Sequence, residues 1–466
     1  METIMTVTRF APSPTGALHI GGVRTALFNY IHAKQNNGIF LIRIEDTDQD
    51  RSKLEYEENI LNGLKALDLI PDKPPVRQSE RSQLYIDAAN TILDNGKAYY
   101  CDCSKERLEE IRTYQQKKGL KPQYDGKCRD LNLSRSDHTV LRLKTPKTGE
   151  VKFIDLVRGE VIFSNSELDD LILLRSDGTP TYHLCNVVDD FEQQVTTVIR
   201  GEDHLSNTPR QIHIQDALEY SHLEYAHLPL VLGSDKKRLS KRNAATSLDE
   251  YIDKGYLPSA MINMLARLGW SKGDKEIFYL DNLIKDFRIQ EVQKAGAIFD
   301  LAKLDWINSQ HLAALSDEDF LNIIKPFLES NKISDINKNY TEIVLALRTS
   351  APNLKNISDD LLPYFNDLDN YNEKAVKKFL LGSENVLEFV HRKLTNIKKW
   401  DTENLDTLLS DSQHQLDLSI PKVNQPIRIA LTGSTQSPSL GLTLTLFGRD
   451  ESIKRIDNAI KFLKNY

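Results

Sequence analysis

A chain of 466 residues is too long for one ordinary domain and points to two to four. Its charged and hydrophobic fractions, 27% and 40%, are those of a soluble globular protein, no stretch reaches the ~18 apolar residues of a membrane span, and the first residues lack a signal peptide's apolar segment. Four cysteines make no disulfide framework, so a reduced, cytosolic protein is expected; a net charge of −7 argues against a chain basic all over but leaves room for a local basic surface that binds nucleic acid.

In chain order, Thr6 to Phe10 is short and rich in threonine, valine and phenylalanine, which predicts a strand. "APSPTGALHIGG" comes next, dense in turn residues, and then Val23, Ala26, Leu27, Tyr30 and Ile31 recur at helical spacing. Asn36-Asn37-Gly38 ends that helix, and "IFLIRIEDTD" is a near-continuous apolar run ending in acids, the pattern of a buried parallel strand. Together these predict a right-handed βαβ unit, in which ligands sit beyond the carboxyl ends of the strands. Arg9 ends the first strand and Glu45 the second, with a helix N-terminus between them. That arrangement suits a zwitterion together with a phosphate. Gly21 and Gly22 let a ligand approach the backbone, the first N–H groups of the helix attract an anion, and His19 is placed to donate to a phosphate oxygen. No GxxxxGK[ST] loop occurs in the chain. The plain alternatives are an ordinary Gly/Pro-rich loop with a surface histidine, and an Arg9–Glu45 pair across neighbouring strand ends.

Further along, Cys101 and Cys103 are followed by Cys128 after a helix-like stretch. Three converging thiolates would make a structural zinc site, against three reduced cysteines as the plain reading. "VLRLKTP", "VKFIDLVRGEVIF" and "DLILLR" read as strands, and Cys185 in "YHLCNVV" as an ordinary buried thiol. In "LPLVLGSDKKRLSKRNAATS" an apolar run ends in Gly233-Ser234 and gives way to Lys236, Lys237, Arg238, Ser240, Lys241 and Arg242. Alone, such a run is usually a solvated face. Beyond it the apolar periodicity is helical, as in "YIDKGYLPSAMINMLARLGW" and "IIKPFLES".

"PSPTGALHIGG", "FLIRIEDTD", "YDGKCRDL", "RGEDHLSNTPRQ", "LPLVLGSDKKRLSKR" and "QPIRIALTGSTQSPSLGL" occur in this order over essentially the whole chain. With them the chain resembles the bacterial-type glutamyl-tRNA synthetases of class I. The resemblance implies an α/β doubly wound, Rossmann-like catalytic domain with an α+β insertion, followed by an all-α C-terminal half. Its boundaries are a first catalytic half at 1–86, a connecting, acceptor-binding insertion with the zinc site at 87–184, a second catalytic half at 185–245, a helical stem-contact domain at 246–310 and a helical anticodon-binding domain at 311–466.

The implied reaction is ATP-dependent activation of L-glutamate to glutamyl adenylate, with Mg²⁺ carried in by ATP, and transfer to the 3′ end of tRNA for glutamate, or also or instead tRNA for glutamine. By resemblance, His19 and Lys241 stabilise the reacting phosphate and the leaving pyrophosphate. ATP is held by Pro12, Ser13, Pro14, Thr15, Gly16, His19, Gly21, Gly22, Arg238, Leu239, Ser240, Lys241 and Arg242. Gly22 stands where many class I enzymes have the second histidine of "HIGH". Glutamate is assigned to Arg9, Ala11, Ser13, Glu45, Tyr182, Asn186 and Arg200. The family's zinc pattern continues C-x-H, and Asp130 stands at the histidine position, so Cys101, Cys103, Cys128 and Asp130 are the expected ligands, with Tyr124 as the alternative fourth. A cytoplasmic monomer is expected. The competing readings are a non-catalytic tRNA-binding paralogue and a glutaminyl-tRNA synthetase, whose anticodon half would be β-barrel.

Overall fold

β1 (Val7–Phe10), α1 (Ile20–Gln35) and β2 (Ile39–Ile44) form the expected βαβ unit, with β1 and β2 parallel in the register Val7–Ile39 to Phe10–Ile42. The computed structural model describes residues 5–48, 50–239, 247–333, 339–368 and 370–466. Gly38 is required at the return into β2, because a Cβ there would lie 2.0 Å from the carbonyl oxygen of Thr6. Helix α2 (Leu54–Ala66) comes next, and β3 (Val76–Arg77) extends the sheet to the order β1-β2-β3.

After α3 (Ser82–Asp94), β4 (Ala98–Cys101), β5 (Val140–Leu143) and β8 (Ile172–Leu174) make an antiparallel sheet, with α4 (Lys105–Lys117) between β4 and β5. The hairpin of β6 (Glu150–Asp155) and β7 (Gly159–Ser164) lies in the same stretch of sequence but not in that sheet. It joins β9 (Thr197–Gly201) and β10 (Glu224–Leu228) in the order β7-β6-β10-β9, with Asp155 beside Tyr225. The Thr196 N–H donates to the Val7 carbonyl at 2.9 Å and brings the start of β9 to β1. α5 (Tyr182–Glu192) and α6 (Thr208–Leu218) complete the layer.

All of this belongs to one compact unit, residues 1–251 and 258–301. Residues 252–257 and 302–466 form a second, helical unit. Its helix Glu384–Asn396 buries Val386, Leu387, Val390 and Leu394, an apolar stripe at helical spacing. That stripe shares a core with Leu405 and Leu409 of helix Thr402–Leu416, Ile427 and Leu431 of Ile420–Thr432, and Ile456 and Leu463 of Arg449–Asn465. Among the described residues no helix is long and apolar enough to cross a membrane.

Candidate active site

The turn-rich loop after β1 is stitched to the segment beyond β2. The Glu45 N–H donates to the Pro12 carbonyl at 2.9 Å and the Lys53 N–H to the Pro14 carbonyl at 3.0 Å. Ser13 and Thr15 are exposed, Ala11, Pro12 and Gly16 half-buried, and Pro14 buried. His19 caps α1: its Nδ1 accepts the Gly22 N–H at 3.0 Å, so a neutral ring carries its proton on Nε2 and keeps that N–H for another acceptor. Desolvation, then the charge of Arg238, lowers the His19 pKa and favours that neutral form. A Cβ on Gly21 would lie 3.1 Å from the His19 Nδ1, so this glycine makes room for the histidine ring, a use the sequence did not reveal.

Arg238 faces Asp203 at 3.6 Å, and the Leu239 N–H donates to the Val231 carbonyl. Ser247 bridges to His19, and the Leu248 N–H donates to the Leu18 carbonyl at 3.0 Å. Ser240, Lys241 and Arg242 lie outside the described residues.

At the carboxyl ends of β1 and β2 the acid-base pattern differs from a simple Arg9–Glu45 pair. α5 presents Tyr182, Asn186 and Asp190, spaced by four, toward these strand ends. Arg9 donates to Asp190 through Nε at 2.9 Å and Nη2 at 3.2 Å, and Arg43 donates to the same carboxylate at 2.7 Å. The Asn186 Oδ1 accepts from Arg43 at 2.9 Å and Arg9 at 3.4 Å, which turns its Nδ2 toward Glu45, 2.7 Å away. Burial would raise the Asp190 carboxyl, but Arg43 and Arg9 outweigh it and hold it at about 2. Glu45 goes the other way: desolvation exceeds the help of Arg43, Arg9 and Asn186, and its pKa is raised. The Glu45 Oε1 that accepts from Asn186 also lies 3.5 Å from the Arg43 Nη2.

Arg43 and Asp190 were not singled out from the sequence. The signals were an arginine inside an otherwise apolar strand and a paired Asp189-Asp190 on an apolar helix. Asp189 accepts from Gln78, Arg81 and the Tyr85 hydroxyl at 2.9, 2.7 and 2.9 Å, and so anchors the back of the cluster.

Arg200, at the end of β9, is buried and meets no carboxylate directly among the described residues. Its Nε donates to the His227 Nε2 at 3.1 Å and its Nη2 to the Thr208 Oγ1 at 2.9 Å. Its Nη1 is buried without a hydrogen-bond partner among the described residues. Tyr182, whose hydroxyl is 3.1 Å from the His204 Nδ1, has its pKa pushed up to about 12 by burial and by Glu45, and Arg200 and Arg9 act on it in the opposite sense. Arg200, Tyr182, Glu45 and Arg9 thus lie within electrostatic reach of one another.

The three thiols of Cys101, Cys103 and Cys128 also come together, their sulfurs all within 4.8 Å of one another. A tetrahedral Zn–S distance of ~2.3 Å places sulfurs ~3.8 Å apart, so the donor set fits zinc. Asp130 is exposed and is not part of this group. The buried Tyr124 hydroxyl stands there instead, 3.3 Å from the Cys101 Sγ and 3.7 Å from the Cys103 Sγ, and accepts the Cys128 N–H at 2.9 Å. Two residues along from Cys128 the chain has already turned to the surface, and Asp130 lies apart from the three sulfurs. Cys185 is a buried thiol in the core beside Leu184 and Val187.

In the helical unit a cleft of about 590 Å³ is lined by Ser350, Pro352, Asn356, Asp360, Arg428 and Ser437. It draws on the sequence stretches "LALRTSAPNLKN" and "GSTQSPSLG".

Residues 5–306 match the family described as tRNA synthetases class I (E and Q), catalytic domain, and residues 319–460 match an anticodon binding domain. A glutamate–tRNA ligase of Thermodesulfovibrio yellowstonii is 44% identical over 97% of this chain and 98% of its own length. A second relative, named glutamate–tRNA ligase 2, from Halorhodospira halophila, is 43% identical over 98% of both. The crystal structure of a glutamate tRNA ligase from Elizabethkingia meningosepticum, in complex with its amino acid, superposes with a TM-score of 0.84 at 32% identity, covering 98% of this chain and 100% of that one. The chain belongs to the class I tRNA synthetases of the glutamate and glutamine branch.

Proposed function

We propose that the chain is a glutamate–tRNA ligase, which activates L-glutamate with ATP to glutamyl adenylate and transfers the acyl group to the 3′-terminal ribose of tRNA for glutamate. The observation that carries this reading is the buried Arg200, whose Nη1 has no hydrogen-bond partner among the described residues, set in one site with the buried carboxylate of Glu45. Such a cation and anion fit the charges of an amino acid, and the similarity to glutamate–tRNA ligases supports Arg200 as the receptor of a side-chain carboxylate.

In this reading Arg200 receives the side-chain carboxylate, with Tyr182 beside it, and Glu45 with Asn186 receives the ammonium. Arg9 shapes the same pocket, and Ala11 and Ser13 form its rim. Glutamine would leave Arg200 buried without a counter-charge, at a cost of several kcal/mol. ATP, with its Mg²⁺, lies at the entrance of α1, where the His19 Nε2–H and the first-turn N–H groups of the helix meet phosphate oxygens. Pro12 to Gly16, Gly21, Gly22, Arg238 and Leu239 border that place, and Ser240, Lys241 and Arg242 supply further hydroxyl and positive groups for the pyrophosphate. The reaction needs no nucleophile from the enzyme: the substrate carboxylate attacks the α-phosphate, pyrophosphate leaves, and the enzyme's part is positioning and charge stabilisation.

Cys101, Cys103, Cys128 and the Tyr124 oxygen would hold zinc, which would tie the end of β4 to the segment that follows it. The cleft around Arg428 and Asn356 receives anticodon bases, since its mixed donors and acceptors suit base-edge reading. In this reading the enzyme is a cytoplasmic monomer, with tRNA for glutamine as an alternative acceptor.

The test is transfer of labelled glutamate, with ATP and Mg²⁺, onto purified tRNA for glutamate and tRNA for glutamine. Charging of the first alone supports a discriminating ligase, and charging of the second extends its range. No transfer to either, with native tRNAs also inert, removes the ligase reading and favours a tRNA-binding paralogue.

A further inference from the structure

We propose that His227 is a positioning residue that sets the enzyme's selectivity for a side-chain carboxylate: a neutral imidazole, fixed by Asp155, holds Arg200 in place without neutralising it. The proposal rests on the reading of Arg200 as the carboxylate receptor. His227 and Asp155 are fully buried, on neighbouring strands β10 and β6. An arginine Nε–H can only donate, so the His227 Nε2 that receives it at 3.1 Å carries a lone pair. The imidazole proton is therefore on Nδ1, where the Asp155 Oδ2 accepts it at 2.6 Å. The Thr208 Oγ1 closes the arrangement: it accepts from Arg200 at 2.9 Å and lies 3.2 Å from the same His227 Nε2.

Two of the three Arg200 nitrogens are thus taken by neutral acceptors, and the buried Nη1 is left over. Arg9 shows the contrast. Its Nε and Nη2 both bind the Asp190 carboxylate, so it has a direct counter-charge within the protein, one it shares with Arg43. For Arg200 the negative charge of Asp155 is one imidazole removed. The guanidinium keeps most of its charge for a ligand, and its plane is set before the ligand arrives. Such preorganisation is what makes a charged hydrogen bond selective. Asp155 also accepts the N–H groups of Val157, Arg158 and His227, so it ties the turn of the β6–β7 hairpin to the receptor. That second duty makes His227 the cleaner position to test.

Two variants separate positioning from packing. His227→Gln keeps a side-chain acceptor, and His227→Leu keeps bulk and removes it. In tRNA charging assays, His227→Leu should raise KM for glutamate about 10- to 100-fold, the range for a lost hydrogen bond to a charged group. KM for ATP and for tRNA should stay within about twofold, the preference for glutamate over glutamine in kcat/KM should fall in parallel, and His227→Gln should recover most of the loss. An unchanged KM for glutamate in His227→Leu, equal impairment in both variants, or a common loss in all parameters would each overturn the proposal.

A ¹⁵N histidine NMR spectrum of the wild-type chain decides the matter even where the leucine variant does not fold. The signal that His227→Gln removes should be the Nδ1–H tautomer, and an imidazolium or an Nε2–H form would overturn the proposal. A wild-type chain that charges no tRNA with glutamate would instead remove the ligase reading, a failure separate from that of the tautomer.

Discussion

Glu45 and Asp190 are buried carboxylates with opposite fates, and the difference predicts how each behaves with pH. Glu45 has a raised pKa because desolvation outweighs its cations. With Glu45 as the proposed receptor of the substrate ammonium, which binds the ionised form, glutamate affinity should weaken as pH falls through that raised pKa, approaching tenfold per pH unit below it. KM for glutamate measured against pH should show this limb in the wild type and lose it in Glu45→Gln, whose KM is high throughout. Asp190 is held at about 2, below the ~3.9 of an unfolded aspartate. Its stabilising contribution, about 2–3 kcal/mol, is full above ~3.9 and is lost as pH falls toward the folded value. Asp190→Asn leaves Arg9 and Arg43 short of counter-charge and should lower the stability of the catalytic unit by about 3–5 kcal/mol at neutral pH, read as a fall in its melting temperature. Strand-end charges made Arg9 and Glu45 legible in the sequence. Their partners were not, because a strand pattern does not say which face of α5 will lie across it.

At the scale of elements, the βαβ unit was readable because each boundary had its own chemistry: the loop before α1, the Asn-Asn-Gly exit, the apolar run of β2. The β6–β7 hairpin was readable as strands but not as part of the β9–β10 sheet, since local alternation carries no information on which sheet a hairpin joins. The same limit applies to the thiols. Their spacing announced a cluster, but the fourth position depends on where a turn directs Tyr124 and Asp130, and the structure buries the first and exposes the second. Purified protein should contain about one zinc per chain by elemental analysis, and Cys128→Ser should abolish it. Tyr124→Phe should weaken retention against a chelator, whereas Asp130→Ala should leave it unchanged. Because metal binding adds to folding free energy, chelation should lower the melting temperature of wild type and Asp130→Ala alike. Loss of zinc in Asp130→Ala with retention in Tyr124→Phe would reverse the assignment.

At the scale of the whole molecule, an acidic chain with net charge −7 is proposed to bind a polyanion. The conflict is only formal, since binding depends on the charges that face the phosphates and not on the total. It does, however, divide the enzyme's substrates into two electrostatic classes. Contacts with tRNA phosphates release counterions, so the logarithm of KM for tRNA should rise linearly with the logarithm of salt concentration, with a slope that counts those contacts. In the proposed site glutamate meets Arg200 and Glu45 in buried surroundings, where mobile ions screen little. Its KM should therefore move less than about twofold over the salt range in which KM for tRNA rises many-fold. Removing one surface lysine that touches phosphate should reduce the tRNA slope by about one and leave the glutamate curve in place. Parallel salt curves for both substrates would mean that the amino-acid site is open to solvent ions, which is incompatible with a buried Arg200 acting as the selective receptor.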